Sequence, residues 1–203
     1  MLLPQNITGL VLAGGEGRRM GGVDKGLQLW RGQPLAQRAC QRLQPQVGSL
    51  LISANRHLDV YGAWGWPVIV DERVDGRLDF QGPLAGLLAG LRHAQTPWLV
   101  SVPCDVPLFP TDLVAHLAQH ASPHTPDTVI MARSPERIHP VFCLLPTALA
   151  QDLQNFLDRG ERQVQRWMRR HATIEVGFEP PDCFRNLNVC DDLNAGDAMS
   201  PQA

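Results

Sequence analysis

Three observations in this 203-residue chain predict an α/β fold with a mostly parallel sheet covered on both faces. Short aliphatic runs recur along it, most are separated by stretches with apolar residues at helical spacing, and a glycine-rich segment follows directly on the first run. Strands that alternate with helices need crossover connections, and crossovers lay helices on the faces of a parallel sheet. Residues 7–12 suit a short buried strand. Further strand-like runs follow at 49–53, 68–70, 98–102, 128–132, 141–145 and 173–176. Between them, residues 34–43 place Leu35, Ala39 and Leu43 four apart behind Pro34, which suits a first helical turn. Residues 83–94 repeat this with Leu84, Leu87, Leu88 and Leu91. Thr111 is expected to cap a helix carrying Leu113, Val114 and Leu117, and Thr147 one carrying Leu149, Leu153, Phe156 and Leu157. A last helix turns Val164, Trp167 and Met168 inward and leaves Arg166, Arg169 and Arg170 in solvent.

With 44% hydrophobic and 19% charged residues, the chain suits a single domain spanning 1–203, near the upper end for one core. The linker candidates, around 121–126 and 179–182, are short proline-containing turns. A net charge of −2 and a pI near 6.4 give no general attraction for nucleic acid or an anionic membrane, so any anion site must be local. Five cysteines, at 40, 104, 143, 183 and 190, form no C-x-x-C pair and leave an odd count, which indicates neither a disulfide framework nor a zinc site and fits a reducing cytosol. The start MLLPQN lacks the basic and apolar regions of a secretion signal, and no run reaches the length of a membrane span. The expectation is a soluble, cytoplasmic protein.

The segment LAGGEGRRMGGVDKG, residues 12–26, carries six glycines with Arg18, Arg19 and Lys25. Glycines after a strand let backbone N–H groups close on a triphosphate, so the segment reads as a phosphate-binding loop. A Walker A loop is excluded, because Gly22 is followed by Val23 and Asp24, and Lys25 by glycine. The dinucleotide fingerprint starts at Gly15 but meets Met20 where its third glycine belongs, which disfavours a nicotinamide-dependent oxidoreductase. Asp105, between Pro103 and Pro107 after an apolar run, suits a metal ion. Magnesium bound to a triphosphate takes only one or two protein carboxylates; the alternative is a turn aspartate. The loop, Ser53 to Asn55, Asp71 and Asp105 each follow an apolar run, so they converge on the carboxyl edge of the sheet, where ligands bind in such folds. Gly82 and Pro83 open a helix whose N-terminal amides can face an anion or a base edge. Cys104, ending a strand, reads as packed and not as a nucleophile.

LAGGEGRRMGGVDKG together with PCDVP at 103–107 resembles the signature of nucleotidyltransferases, most closely the molybdenum cofactor guanylyltransferase family. The likeness takes in SANR at 53–56, VIVDE at 68–72, QGPLAG at 81–86, HP at 139–140, GERQV at 160–164 and NLNVCDDL at 186–193. It implies a single-domain, three-layer α/β/α nucleotidyltransferase fold with a Rossmann-like central sheet. It also implies transfer of GMP from GTP, with Mg²⁺, to molybdenum-bound molybdopterin. In that likeness Leu12, Ala13, Gly14, Gly15, Lys25, Ser53, Asn55, Asp71, Gly82, Pro83 and Asp105 bind GTP. Lys25, Arg19 and Asp105 act in transfer, with Asp105 holding the metal. Family members often carry NANR where this chain has SANR, and whether Ser53 or Asn55 faces the base stays open. Residues up to about 110 then form the nucleotide half and about 111–195 the acceptor half, with Arg137, His139, Arg162, Asn186 and Asn188 as acceptor ligands and 196–203 a flexible tail. Molybdoenzyme chaperones and cofactor-insertion proteins are the expected protein partners. Rival readings are a cytidylyltransferase for the same cofactor, a sugar-phosphate nucleotidyltransferase, and a GTP-binding adaptor that delivers cofactor without turnover.

Overall fold

Seven strands form one sheet in the order β5-β4-β1-β6-β8-β7-β9, seen in a computed structural model that describes residues 2–14, 24–71, 82–122 and 127–187. These strands are β1 (Ile7–Leu12), β4 (Ser49–Ser53), β5 (Val68–Ile69), β6 (Trp98–Pro103), β7 (Val129–Arg133), β8 (Ile138–Pro146) and β9 (Thr173–Gly177). A separate hairpin joins β2 (Leu29–Trp30) to β3 (Gln33–Pro34). Within the sheet β1 is parallel to β4 and β6, β4 to β5, and β7 to β9. Only β8 runs antiparallel to its neighbours β6 and β7. The mostly parallel sheet expected from the alternating pattern is therefore present.

Alternation along each strand feeds two cores, one on either face. Ile7 and Val11 of β1, with Trp98, Val100 and Val102 of β6, meet Ala36, Ala39, Cys40 and Leu43 of α1 (Leu35–Leu43) and Leu113, Val114 and Leu117 of α4 (Leu113–Ala118). On the other face Leu10 and Leu99 meet the leucines of α3 (Pro83–His93), Leu153, Phe156 and Leu157 of α5 (Ala150–Asp158), and Trp167 and Met168 of α6 (Val164–Met168). Two helical layers around one sheet give the three-layer arrangement. A short helix, α2 (Leu58–Gly62), lies between β4 and β5 in sequence. No helix among the described residues is long and apolar enough to cross a membrane.

Three of the expected helix starts differ. Pro34 belongs to β3 and its extended backbone precedes α1, which begins at Leu35. Thr111 does not cap α4; the first-turn amide of Val114 donates instead to the Gln46 side chain at 3.0 Å. Thr147 donates its hydroxyl to the Pro97 carbonyl, 3.1 Å away, and a 3-10 turn (Thr147–Leu149) intervenes before α5. For Thr111 and Thr147 a tertiary hydrogen bond displaces the local capping signal, whereas Pro34 is drawn into the β2–β3 hairpin. The β2–β3 hairpin and α2 were not anticipated. Its Arg31-Gly32 turn, both residues at positive φ, was the available sign of the hairpin.

The strand that carries the second half of the molecule is bent. Met131 pairs with Cys143 but Ala132 already pairs with His139, so Pro140, Val141 and Phe142 are extra residues bulging from β8. Proline is tolerated there because no ladder hydrogen bond is required of it. Ser101 secures the bulge by donating to the Val141 carbonyl at 2.5 Å. Pairing between β6 and β8 stops at Ser101 and Cys143, and the sheet opens into a cavity beyond that point.

Candidate active site

A cavity of about 540 Å³ lies beyond the carboxyl ends of β1, β4, β5 and β6. Such a volume is in the range of small-molecule sites. Leu12, Ala13 and Gly14 reach it from the end of β1, Ser53 from the end of β4, Asp71 two residues past β5, and Cys104 and Asp105 from the turn after β6. The first turn of α3 contributes Gly82, Pro83 and Gly86, which directs a helix N-terminus at the same space. From the second half come Arg137 and His139, the bulge residues Pro140 to Phe142, and Asn186.

Lys25 and Asp105 meet at the centre. The ammonium donates to Asp105 Oδ2 at 2.8 Å, with both side chains about a quarter exposed, at 26% and 22%. The backbone of Asp105 is held independently, since its carbonyl accepts from the Leu187 amide at 2.8 Å. Leu187 packs with Trp30 and Leu35 in a small core of its own, so the C-terminal segment is pinned beside the site and delivers Asn186 to the cavity. Among the described residues no group of three or more His, Cys, Asp or Glu side chains is arranged to hold a metal, so Asp105 is not part of such a cluster. Burial pushes the Cys104 thiol well above its ordinary range, with Asp105 and Asp24 adding to the effect, so it stays protonated and is no nucleophile.

At one end of the cavity Asp71 is 8% exposed. Burial raises its carboxyl above the usual range, opposed by Asn55 and Ser53. Asn55 grips it twice, donating to Asp71 Oδ2 at 2.8 Å and accepting from the Asp71 amide at 2.9 Å. The other oxygen, Oδ1, is buried and has no hydrogen-bond partner among the described residues. An acceptor in that state matches a ligand edge with N–H donors. Ser53 lines the cavity, whereas Asn55 is engaged with Asp71.

At the other end His139 is 9% exposed, its Nε2 lies 3.0 Å from the Ser134 hydroxyl, and its ring packs on Phe184 with centroids 4.5 Å apart. Burial, with Arg137 nearby, lowers its pKa to about 4, so the ring is neutral at physiological pH.

Of the residues expected to bind the acceptor, Arg162 is not brought here. Its guanidinium donates to the Leu157 and Glu161 carbonyls at 2.7 and 2.8 Å and so closes the end of α5. That correction has a local cause: unpaired carbonyls at a helix C-terminus attract a nearby guanidinium. Gly15, Arg19 and Asn188 lie outside the described residues, as do Gln81 and the 196–203 tail. Sequence reasoning missed Asp24 and Tyr61, Ser134, and the aromatic pair of Phe142 and Phe184; Asp24 and Tyr61 are joined by a contact 37 positions apart that only the fold reveals.

Residues 9–174 match the family described as MobA-like NTP transferase domain. A molybdenum cofactor guanylyltransferase of Ralstonia nicotianae is 47% identical over 201 residues, covering 95% of this chain and 97% of the relative. Another of that name, from Acidovorax ebreus, is 48% identical over 209 residues, covering 96% and 97%. Among solved structures, molybdopterin-guanine dinucleotide biosynthesis protein A of Archaeoglobus fulgidus superposes with a TM-score of 0.74 at 20% identity, over 93% of this chain and 96% of that one. At that identity the superposition speaks for the fold.

Proposed function

This chain belongs to the MobA-like NTP transferase family, and on that premise we propose that it is a guanylyltransferase, moving GMP from GTP onto the terminal phosphate of molybdenum-bound molybdopterin. The observation that carries the reading is the Lys25–Asp105 pair, 2.8 Å apart, in a cavity lined by Ser53 and Asp71 from the β4–β5 side of the sheet and by Arg137 and His139 from the β8 side. In the reaction an acceptor phosphate oxygen attacks the α-phosphorus of GTP, a phosphoanhydride bond forms, and the α–β anhydride bond breaks to release pyrophosphate. The acceptor needs no general base, because a phosphomonoester with a second pKa of about 6 is largely dianionic at neutral pH. The protein's task is to hold the two phosphates in line and to offset charge on their oxygens.

Lys25 supplies that charge, with Arg19 assisting, and the N-terminal turn of α3 adds oriented amides. Asp71, positioned by Asn55, offers its unpartnered Oδ1 to the N–H groups of guanine, and Ser53 contributes a hydroxyl. A site with Asp105 and no larger cluster of ligands among the described residues fits Mg²⁺, an ion that keeps several waters and takes most of its remaining contacts from substrate phosphates. Bound there, the ion would neutralise charge on the triphosphate. Residues up to about 110 serve as the nucleotide half. Arg137, the neutral His139 and Asn186 serve the acceptor, as cationic and hydrogen-bonding partners for a phosphorylated, nitrogen-rich pterin. The same reading puts the enzyme in the cytoplasm, handing its product to cofactor-insertion proteins or molybdoenzyme chaperones.

The test is pyrophosphate release from GTP, ATP, CTP and UTP with Mg²⁺, with and without purified molybdenum cofactor. Release from GTP alone, and only with cofactor, supports guanylyl transfer. Release from CTP or with a sugar phosphate transfers the reading to another nucleotidyltransferase, and tight GTP binding with an active cofactor preparation but no release turns it to an adaptor.

A further inference from the structure

The chain contains one tyrosine, Tyr61, and one lysine, Lys25, and the structure connects them. Tyr61 is wholly buried, its ring edge-on to Trp64 with centroids 5.0 Å apart. Its hydroxyl donates to Asp24 Oδ1 at 2.8 Å, and that same oxygen accepts from the Gly26 amide at 3.0 Å. Asp24 is itself only 8% exposed and caps the 3-10 turn Lys25–Leu27. Lys25 leaves that turn to reach Asp105 at 2.8 Å. The phenol approaches so closely over Gly26 that any side chain there would collide with its oxygen.

We infer that Asp24 and Tyr61 are positioning residues that hold the 25–27 turn so that the Lys25 ammonium is presented at Asp105. Neither lines the cavity, and both act through Lys25. The arrangement suits this role for three reasons. A carboxylate with two buried donors on one oxygen is confined in orientation. The phenol is anchored in the core that α1, α2 and the sheet share, so the turn is tied to the scaffold and not only to its own loop. Burial and the adjacent Asp24 carboxylate hold the Tyr61 hydroxyl protonated, which makes it a permanent donor. The inference rests on the reading of Lys25 as the phosphate-neutralising residue.

Tyr61→Phe removes one hydroxyl and keeps the ring. Misplacing a reacting group by an ångström costs about 10²-fold in rate, so kcat for GMP transfer should fall between about tenfold and 10²-fold, with KM for GTP changing much less. Asp24→Ala should fall similarly, and Asp24→Asn, which keeps an oxygen able to accept from both donors, should recover most of that loss. In a Lys25→Ala background Tyr61→Phe should cost nothing further, which a general loosening of the fold would not reproduce. A second readout needs no turnover: because Lys25 is the only lysine, its acylation by a water-soluble acetylating reagent can be followed by mass spectrometry. Freed from its carboxylate it should react about tenfold faster in Tyr61→Phe, in line with the loss of a hydrogen bond to a charged group. Wild-type kcat together with wild-type labelling in Tyr61→Phe would overturn the proposal, as would an undiminished loss in the Lys25→Ala background. If the wild-type protein releases no pyrophosphate under any condition, the guanylyltransferase reading fails, and the labelling rate alone decides whether Tyr61 positions Lys25.

Discussion

Adding one methyl group at Gly86 should damage the nucleotide site more than the fold. Gly86 is the fourth residue of α3, and a Cβ there would stand 2.6 Å from Leu12 Cδ2 and 2.7 Å from Ser53 Oγ. Ordinary carbon contacts are about 3.5–4.0 Å, so both groups must move. Overpacking of this kind costs about 1–3 kcal/mol, while replacing glycine by alanine inside a helix returns about 1 kcal/mol. Net destabilisation of at most about 2 kcal/mol is expected. Leu12 and Ser53 both line the cavity, and each can relieve the clash by turning its side chain into it. GTP affinity should therefore fall by about tenfold or more, equivalent to about 1.4 kcal/mol. Gly90 provides the control one helical turn on, where a Cβ would meet Leu10 Cδ2 at 2.5 Å and Leu99 Cδ2 at 3.1 Å, well inside the core. Gly90→Ala should lower stability and leave GTP affinity unchanged. Calorimetric titration with GTP and Mg²⁺, paired with urea unfolding, measures both quantities. A Gly86→Ala protein that binds GTP within about twofold of wild type would refute the reasoning, since the close approach would then be packing alone.

Three further outcomes are expected. Lys25→Ala and Asp105→Ala should each lower Mg²⁺-dependent turnover by about 10²-fold or more while shifting stability by less than about 1 kcal/mol, because the pair is partly exposed; near-normal turnover in either would remove that residue from the site. Asn55→Ala strips partners from the Asp71 amide and Oδ2, so it should cost about 1–3 kcal/mol in urea unfolding and weaken GTP binding, and a stable variant with normal affinity would show that Asp71 needs no orientation. His139, with a folded pKa of about 4 against about 6.5 in the unfolded chain, binds fewer protons folded than unfolded between those values. Its contribution to stability is thus present above pH 6.5 and is lost as pH falls towards 4, by at most about 3 kcal/mol. His139→Gln should flatten the stability profile over that window, and parallel curves for the two proteins would count against a buried neutral ring.

The order of strands and helices was readable from the chain because it depends on local periodicity: the apolar runs at 7–12, 49–53 and 98–102 all became strands, and the leucines of 83–94 became the buried face of α3. The positions of Ser53, Asp71 and Asp105 at or just beyond strand ends were readable too, because parallel topology brings those ends to one edge. Helix starts at Thr111 and Thr147 were misjudged because Gln46 and Pro97, distant in sequence, compete for the same hydrogen bonds. The three-residue bulge in β8 that opens the cavity, the hold of Asn55 on Asp71, the diversion of Arg162 to the end of α5, and the link from Tyr61 through Asp24 to Lys25 leave no periodic or compositional trace. The bulge and the Asn55–Asp71 and Tyr61–Asp24 contacts, the last two joining residues 16 and 37 positions apart, exist only once the sheet has assembled, whereas the Arg162 contact, 5 positions from Leu157, depends on where α5 ends; the sequence alone determined which chemical groups reach the site's edge, and packing decided how each one is oriented.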